Sequence, residues 1–246
     1  MSFCRSRGVF CAAVLVLIIA ALLPANASAP TSAIVSIAQI LERMEHHDRS
    51  QAQALKHYQA VRHYQVEYKG LGTSTAAKME VEVNFDAASG KRFRIVSQSG
   101  SKLLCEKVLK KAVDSENEAA QNKEATALTT ANYKFELLGS ESLNGRPAYI
   151  LSVAPLKASK FLYRGKIWVD ATDFAVAGIE AAPAKSPSFW ISRTLIRYTS
   201  AKTGDFWLPQ QSRSETKILI GGTAVLIIDY GTYQIVPDAT HRAVED

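Results

Sequence analysis

The strongest constraint on the fold is a period-two alternation of side-chain character that recurs along most of the chain. In YRGKIWVD, residues 163–170, Ile167 and Val169 share one parity while Lys166 and Asp170 share the other. A short polar stretch follows, and a second alternating run comes after it. Alternation of this kind is typical of antiparallel strands with one buried face. The segment therefore predicts a β-hairpin whose apolar face covers either a packed core or a bound apolar ligand.

Alternating segments recur often enough to predict a sheet of about nine to eleven strands. Asn144-Gly145 and Gly221-Gly222 are residue pairs that favour tight hairpin turns. A sheet this large has to curl. The expected fold class is α+β, with a curled antiparallel sheet that forms an unclosed β-barrel. The predicted strands are residues 63–68, 79–85, 91–97, 133–138, 147–155, 162–170, 174–181, 189–198, 206–216 and 217–235, the last folded at its glycine pair.

A helical stretch before the sheet is the first element expected to cover the concave face. Within residues 32–47 the apolar residues Ile37, Leu41 and Met44 recur at helical spacing, and the opposite side is polar. The polar run HHDRS is expected to interrupt this helix, and a second amphipathic helix is expected over residues 52–61. Each helix has one apolar stripe that has to be buried. We therefore expect the two helices to form a helical lid over the half-barrel.

A third, strongly charged helical segment is predicted after residue 102. Its apolar residues Leu104, Val108 and Ala112 are spaced by four, and the acidic run DSENE behind them is expected to form a mobile connection. Cys105 lies in this segment. A small, half-buried apolar side chain is the simplest interpretation of this cysteine, and a catalytic thiol is the alternative.

The N-terminus has the features of a secretory signal peptide. Arg5 and Arg7 precede an apolar run over residues 9–23, and small residues then fit a signal peptidase site with cleavage after Ala27. A membrane anchor is the alternative interpretation, although the run is shorter than the roughly 20 apolar residues that a span needs. We expect a signal peptide over residues 1–27, a single domain over residues 28–246, and export to the periplasm.

Composition and motifs argue against several classes of function. The formal net charge of +6 is a mild basic excess, and basic and aromatic residues do not interleave as they do in nucleic-acid-binding helices. Phosphate-loop, hydrolase and metalloprotease motifs are absent from the sequence, and the histidines are not spaced as metal ligands. We therefore expect no nucleic-acid partner, no metal, no cofactor and no catalytic residues, and an envelope hydrolase is the least favoured interpretation.

Several aromatic-rich phrases carry a family resemblance. The helical segments ILERM and ALKHYQAVRHY precede a long antiparallel meander that contains RGKIWVD, FAVAGIEAAPAKSPSFW, FWLPQQSRSET and LIIDYGTYQI. In this order of elements the chain resembles the outer-membrane lipoprotein-sorting proteins of the LolA/LolB superfamily. The resemblance implies an unclosed barrel whose apolar cavity shelters acyl chains of lipoproteins or lipids in transit to the outer membrane. It also implies a strand arginine that holds the lid closed, for which Arg92 and Arg94 are both candidates.

The resemblance implies a monomer with lipidated protein or lipid cargo and an inner- or outer-membrane partner protein. A sensor module of the same fold, which binds lipid or peptide for a membrane partner, is the second hypothesis.

On the outer side of the hairpin, Lys166, Asp170 and Glu180 are expected to face water, with Trp168 as an exposed aromatic or a partner contact. The residues expected to line the cavity and the lid are Ile37, Leu41, Met44, Val66, Val81, Val83, Phe85, Phe93, Ile95, Phe135, Leu137, Ile167, Val169 and Ile179.

Overall fold

The structure of the protein is a computed structural model that describes residues 35–70, 72–186, 191–219 and 221–236. The expected signal peptide, its cleavage site and the first mature residues lie outside these ranges, as do residues 189 and 190 of one predicted strand. Contacts group the chain from Val35 onward into one compact unit. No helix within the described ranges is both long and apolar enough to cross a membrane.

The described residues contain one antiparallel sheet of eleven strands, as the alternation predicts. Its order is β3-β2-β1-β10-β9-β8-β7-β6-β5-β4, and β11 pairs with the start of β1 beside β10. The edges β3 and β4 do not pair with each other in this order, so the barrel is unclosed. The strands are β1 (His57–Lys69), β2 (Ser74–Asp86), β3 (Gly90–Gly100), β4 (Tyr133–Leu143), β5 (Arg146–Pro155), β6 (Tyr163–Asp170), β7 (Val176–Pro183), β8 (Ile191–Thr203), β9 (Phe206–Ile218), β10 (Thr223–Asp229) and β11 (Tyr233–Val236).

The segment before the sheet forms one helix rather than two. Helix α1 (Ile37–Ala54) starts at a capping box, in which the Ser36 side chain accepts from the Gln39 backbone, and it runs through the predicted interruption. The helix expected over residues 52–61 is wrong, because the chain is already in β1 from His57. Pairing with β2 on one side and with β10 and β11 on the other satisfies the backbone of β1. These long-range hydrogen bonds outweigh a local apolar spacing that also fits a helix.

The charged excursion between β3 and β4 is helical and continues past its acidic run. It consists of α2 (Lys102–Leu104), a π-helical turn (Cys105–Leu109), α3 (Lys110–Gln121) and the short α4 (Lys123–Thr126). The acidic run predicted to be a mobile connection therefore lies inside α3. The extra residue of the π turn rotates the buried face by one position. Leu104 of the predicted stripe is buried, but beyond the π turn Leu109 and Val113 are buried while the predicted Val108 and Ala112 are only half-buried.

The turns follow the predicted chemistry where glycine is needed. Between β4 and β5 the pair Asn144-Gly145 adopts left-handed backbone angles, with φ of 51° and 80°. This geometry matches the right-handed twist of the flanking strands and closes a tight hairpin. Gly221 and Gly222 also have positive φ, at 111° and 99°, in the connection between β9 and β10. The segment predicted over residues 217–235 is folded at this glycine pair. Lys217 and Ile218 belong to the end of β9, and the rest of the segment forms β10 and β11.

Candidate functional site

The register of the sheet identifies the side chains that share its inner face. Paired residues form a continuous row from β5 across six strand pairs to β1. Apolar side chains at both ends of the row are buried beneath helices, so this is the face that the helices cover. The row consists of Val153, Gly165, Ala181, Ile196, Ser214, Leu226 and Val66.

One apolar cluster lies beneath α1. The helix buries Ile40 and Met44 against β4, β5 and β6, where Leu151 and Ile167 are fully buried. Arg43 lies over the Phe174 ring, with its guanidinium carbon 4.9 Å from the ring centroid. At the other end of α1, the Gln51 side chain donates to the backbone oxygen of Trp207 at 3.0 Å and accepts from its backbone nitrogen at 2.6 Å. The two ends of α1 are thus attached to opposite halves of the sheet.

A second apolar cluster lies beneath the helical segment of residues 102–121, which we call the second cover. Leu104, Leu109 and Val113 from this segment are buried against inner-face residues of β1 and β2 such as Val66 and Val81. Residues 34–44 and 52–61 were expected to be the only cover. The segment of residues 102–121 therefore covers the part of the sheet that the second predicted helix was expected to cover. Its apolar side chains are directed toward β1 and β2.

The predicted cavity and lid residues divide between the two clusters, with two exceptions. Ile95 and Leu137 point toward the inner face but remain 40% and 39% exposed, because they lie on the edge strands β3 and β4. Each is followed by an irregularity in strand register. The cluster beneath α1 includes Ile37, Leu41, Met44, Phe135, Ile167, Val169 and Ile179, and the cluster beneath the second cover includes Val66, Val81, Val83, Phe85 and Phe93.

Between the two clusters the inner face is only partly covered. From Ser212 to Thr216 every side chain of β9 is half-buried, on the inner face as well as on the outer one. The inner-face residues here are short, and Thr194 and Thr216 lie 3.0 Å apart through their hydroxyl oxygens. At Gly165 a Cβ atom would lie 2.2 Å from the Glu180 carbonyl oxygen, so no larger residue fits there. We call this half-buried inner-face region of β8, β9 and β10 the central strip.

Tyr198 marks the border of the central strip. Its ring faces inward and packs edge-on against Tyr230, with ring centroids 6.4 Å apart. Burial raises the pKa of the Tyr198 phenol above its ordinary value, and yet the side chain keeps accessible surface. Tyr198 is therefore a half-buried aromatic side chain between the central strip and the cluster under the second cover.

A buried ion pair joins the sheet to the second cover. Arg62 on β1 points inward and is fully buried, and its guanidinium forms an ion pair with Glu116 on α3. The Tyr64 hydroxyl donates to the other carboxylate oxygen of Glu116 at 2.6 Å. Burial alone would lower the pKa of Arg62, but the neighbouring Glu116 together with the surrounding tyrosines outweighs it, and the pKa of Arg62 is raised. Arg62 also lies over the Tyr230 ring, at 4.6 Å from its centroid.

The two arginines that the family resemblance offered as lid-holding candidates lie on the exposed side of β3, away from Glu116. Arg92 and Arg94 are exposed and alternate with the inward residues of β3, and Arg94 pairs with Glu82 on the neighbouring strand. Arg62 was missed because its segment was interpreted as a helix. A signal for it exists in the sequence: when β1 is extended back to His57, Arg62 falls on the same parity as Tyr64 and Val66.

On the outer face, Asp170 is buried rather than exposed as predicted. Arg146 donates to both of its carboxylate oxygens, from Nε at 2.6 Å and from Nη2 at 2.9 Å. Burial alone would raise the pKa of Asp170, but these bonds and those from the turn backbone hold it below the ordinary aspartate value. Lys166 is exposed and Glu180 partly so, as predicted. Trp168 is half-buried, and its indole N–H donates to Glu141.

Cys105 lies in the interior, on the π turn of the second cover. Cys105 is buried in the cluster under the second cover, and its thiol donates to the Ser99 carbonyl oxygen at 3.7 Å. Its interpretation as a small buried apolar side chain is confirmed. Within the described ranges, no group of three or more His, Cys, Asp or Glu side chains is placed to hold a metal ion.

The comparisons with known proteins find similar structures but no close relatives. No protein-family model matches the chain. No curated protein matches it either. Among solved structures, a domain named for outer-membrane lipoprotein sorting, from Vibrio parahaemolyticus, matches 79% of this chain and 91% of its own length, with 12% identity and a TM-score of 0.40. A LolA superfamily protein from Nitrosomonas europaea matches 86% of this chain and 99% of its own length, with 13% identity and a TM-score of 0.38.

A third match is a DUF1329 family protein from Desulfovibrio piger, with 81% of this chain and 92% of its own length covered, 11% identity and a TM-score of 0.39. The first two structures carry names from the superfamily that the sequence phrases resemble. At these identities and TM-scores the matches leave the ligand and the partners of this chain to be inferred from its own geometry.

Proposed function

We propose that this protein is a periplasmic binding protein that shelters an acyl chain on the inner face of its half-barrel. The chain would belong to a lipid or a lipidated protein in transit to the outer membrane. The single observation that carries the proposal is the central strip, where the inner face is half-buried and the inner-face side chains of β9 are short. An ordinary packed core would fill this region with large apolar side chains.

The central strip has the right surroundings for an acyl chain. Ile196 and Leu226 lie in it at half-burial, and apolar clusters adjoin it on both sides. Each methylene group removed from water there contributes about 0.8 kcal/mol to binding. The hydroxyl groups of Thr194 and Thr216 do not oppose binding of an apolar chain, because they lie within hydrogen-bonding distance of each other. A chain can thus lie on the strip without leaving these two groups unpaired.

The two covers explain how a ligand can enter and leave. Helix α1 crosses from one half of the sheet to the other and is attached at its end by the Gln51 contacts to Trp207. The second cover is attached by Arg62 and Glu116. These polar attachments are local and supplement the apolar contacts of each cover, and we expect a cover to detach without unfolding the strands beneath it. Export through the predicted signal peptide, a monomeric state and a membrane partner that receives the cargo complete the proposal.

The test is to fill the central strip. In the variant Ser214→Phe a ring occupies the inner-face row, whereas in the matched control Glu215→Phe the same ring is added to the outer face of the same strand. Displacement of the fluorescent probe 1-N-phenylnaphthylamine by dodecanol measures acyl binding. We expect Ser214→Phe to lose binding while Glu215→Phe and the unchanged protein retain it.

Two further measurements decide the test. Circular dichroism establishes that both variants keep the sheet, since an added ring costs about 1–3 kcal/mol in a packed region. Native mass spectrometry of the protein purified from its own envelope is expected to detect a co-purified lipid or lipopeptide. If the folded, unchanged protein binds no acyl probe and carries no lipid, the proposed function is wrong.

A further inference from the structure

Lys91 is a charged side chain on the inner face that the acyl-binding proposal does not use. It lies on the edge strand β3, where it pairs with Phe85 and shares the parity of Phe93, and both of these pack into the cluster under the second cover. Lys91 is half-buried, whereas its neighbour Arg92 is exposed. The lysine therefore points beneath the second cover, at the rim of the half-barrel.

The ammonium group of Lys91 has no hydrogen-bond or ion-pair partner within the described residues. The charged groups that act on it are Arg62 from β1, Glu116 from α3 and Lys123 from α4, and β2 contributes the uncharged Phe85. Glu116 is already engaged by Arg62 and by the Tyr64 hydroxyl. Of the three charged groups that act on Lys91, two are therefore cations and the third is a carboxylate that is already paired.

An uncompensated ammonium in a half-buried position is unfavourable unless an anion accompanies it. Burial lowers the pKa of Lys91 to about 8, and the charge of Arg62 acts in the same direction. At neutral pH the group is still protonated and lacks a counter-ion.

We infer that Lys91 binds the anionic head group of the acyl ligand, a carboxylate or a phosphate, at the rim of the half-barrel. This inference rests on the proposed function, since the acyl chain would lie on the inner face. The ammonium donates hydrogen bonds to the anionic oxygens, and Arg62 remains paired with Glu116. The ligand class is thereby narrowed from any acyl chain to fatty acids and single-chain phosphate lipids.

The test compares ligands that differ only in their head group. Laurate, monododecyl phosphate and the uncharged dodecanol displace 1-N-phenylnaphthylamine from the full mature chain and from the variants Lys91→Gln and Lys78→Gln. Lys78 is an exposed lysine on the outer side of β2 and serves as the matched control. We expect the unchanged protein and Lys78→Gln to bind the anionic ligands about tenfold more tightly than dodecanol, as a charge-assisted hydrogen bond predicts.

In Lys91→Gln this preference disappears while dodecanol binding is unchanged. A pH series tests whether the charge of Lys91 is what binds the ligand. Laurate binding by the unchanged protein should weaken between about pH 7 and about pH 10 as the lysine loses its proton. Lys91→Arg should bind laurate equally well over this range, because arginine stays protonated. A preference for laurate alone identifies the head group as a carboxylate, and a preference for monododecyl phosphate alone identifies it as a phosphate. Equal binding of dodecanol and both anions overturns this inference and leaves the acyl site intact. Failure of all three ligands to bind overturns both proposals.

Discussion

Arg62 on β1 and Glu116 on α3 lie 54 residues apart in the sequence and form an ion pair beneath the second cover. The arginine side chain is 1% exposed and the glutamate side chain 23%, so the pair is partly shielded from solvent. The ion pair is the polar attachment between the sheet and the helical segment of residues 102–121.

Glu116→Gln is expected to loosen the second cover. Removing the carboxylate leaves Arg62 as an unpaired buried charge, which typically costs about 3 kcal/mol in the free energy of unfolding. Hydrogen exchange of residues 102–121 should accelerate more than exchange of the strands, and denaturant unfolding measures the stability. The matched control is Glu118→Gln on the same helix. Glu118 pairs with Lys160 at an exposed position, where a loss below about 1 kcal/mol is expected.

The double variant Arg62→Met, Glu116→Gln tests whether the two residues act as a pair. With the arginine charge gone, loss of the carboxylate should cost less than it does in the single variant, with a coupling of about 1–3 kcal/mol. Equal stability of Glu116→Gln and Glu118→Gln, or simple additivity in the double variant, would show that the second cover is held by apolar contacts alone.

Leu41→Asp is expected to weaken acyl binding without unfolding the sheet. Leu41 is half-buried in the cluster beneath α1, and a charge there should detach the helix from the strands. Loss of a buried apolar side chain corresponds to about a tenfold weaker affinity. Ala38→Asp adds the same charge to an exposed position of the same helix. Probe displacement and circular dichroism are measured for both, and global unfolding of Leu41→Asp would mean that α1 is part of the core.

Fluorescent labels on neighbouring residues of β8 should report the two faces of the sheet separately. Ile196 faces inward and Leu195 faces outward, and both are half-buried, so they form a matched pair. In a Cys105→Ser background, an environment-sensitive label at Ile196→Cys should shift its emission when an acyl ligand is added. A label at Leu195→Cys should not. A response at 195 alone would place the ligand on the outer face.

Asp170→Asn is expected to destabilise the protein at neutral pH by about 2 kcal/mol, because it loses charge-assisted hydrogen bonds from Arg146. The pKa of Asp170 is lowered in the folded state. The carboxylate therefore contributes stability above the ordinary aspartate pKa of 3.8, and this contribution is lost as the pH falls through the lowered folded value. Urea unfolding at several pH values should show that the difference between Asp170→Asn and the unchanged protein narrows in acid.

The exposed Asp205 provides the control for the pH series. Asp205→Asn should differ from the unchanged protein by less than about 0.5 kcal/mol at every pH, as surface substitutions usually do. A difference for Asp170→Asn that stays constant down to strong acid would mean that the side chain acts by packing and not by charge.

The limits of sequence reasoning are clearest where a local pattern fits two structures. Leu55 and Tyr58 match a helical stripe, but Tyr58 belongs to a strand in which every second residue is buried. The spacing of Leu104 and Val108 likewise predicts a helix correctly, but it misplaces the buried face by one residue because the sequence does not reveal the π turn. Both errors have one cause: hydrogen bonds to distant segments, or an irregular turn, override a short periodic signal.

The sequence by itself determined the strand parities, the hairpin turns and the unclosed antiparallel sheet, since alternation and glycine turns are local properties of the chain. Only the tertiary structure decided which segment covers the inner face, which arginine holds it, and that Asp170 is buried. Those outcomes depend on partners far away in the sequence: Glu116 for Arg62, and Arg146 for Asp170. A side chain's parity fixes the face it points to, but burial and charge pairing follow from what the fold brings against that face.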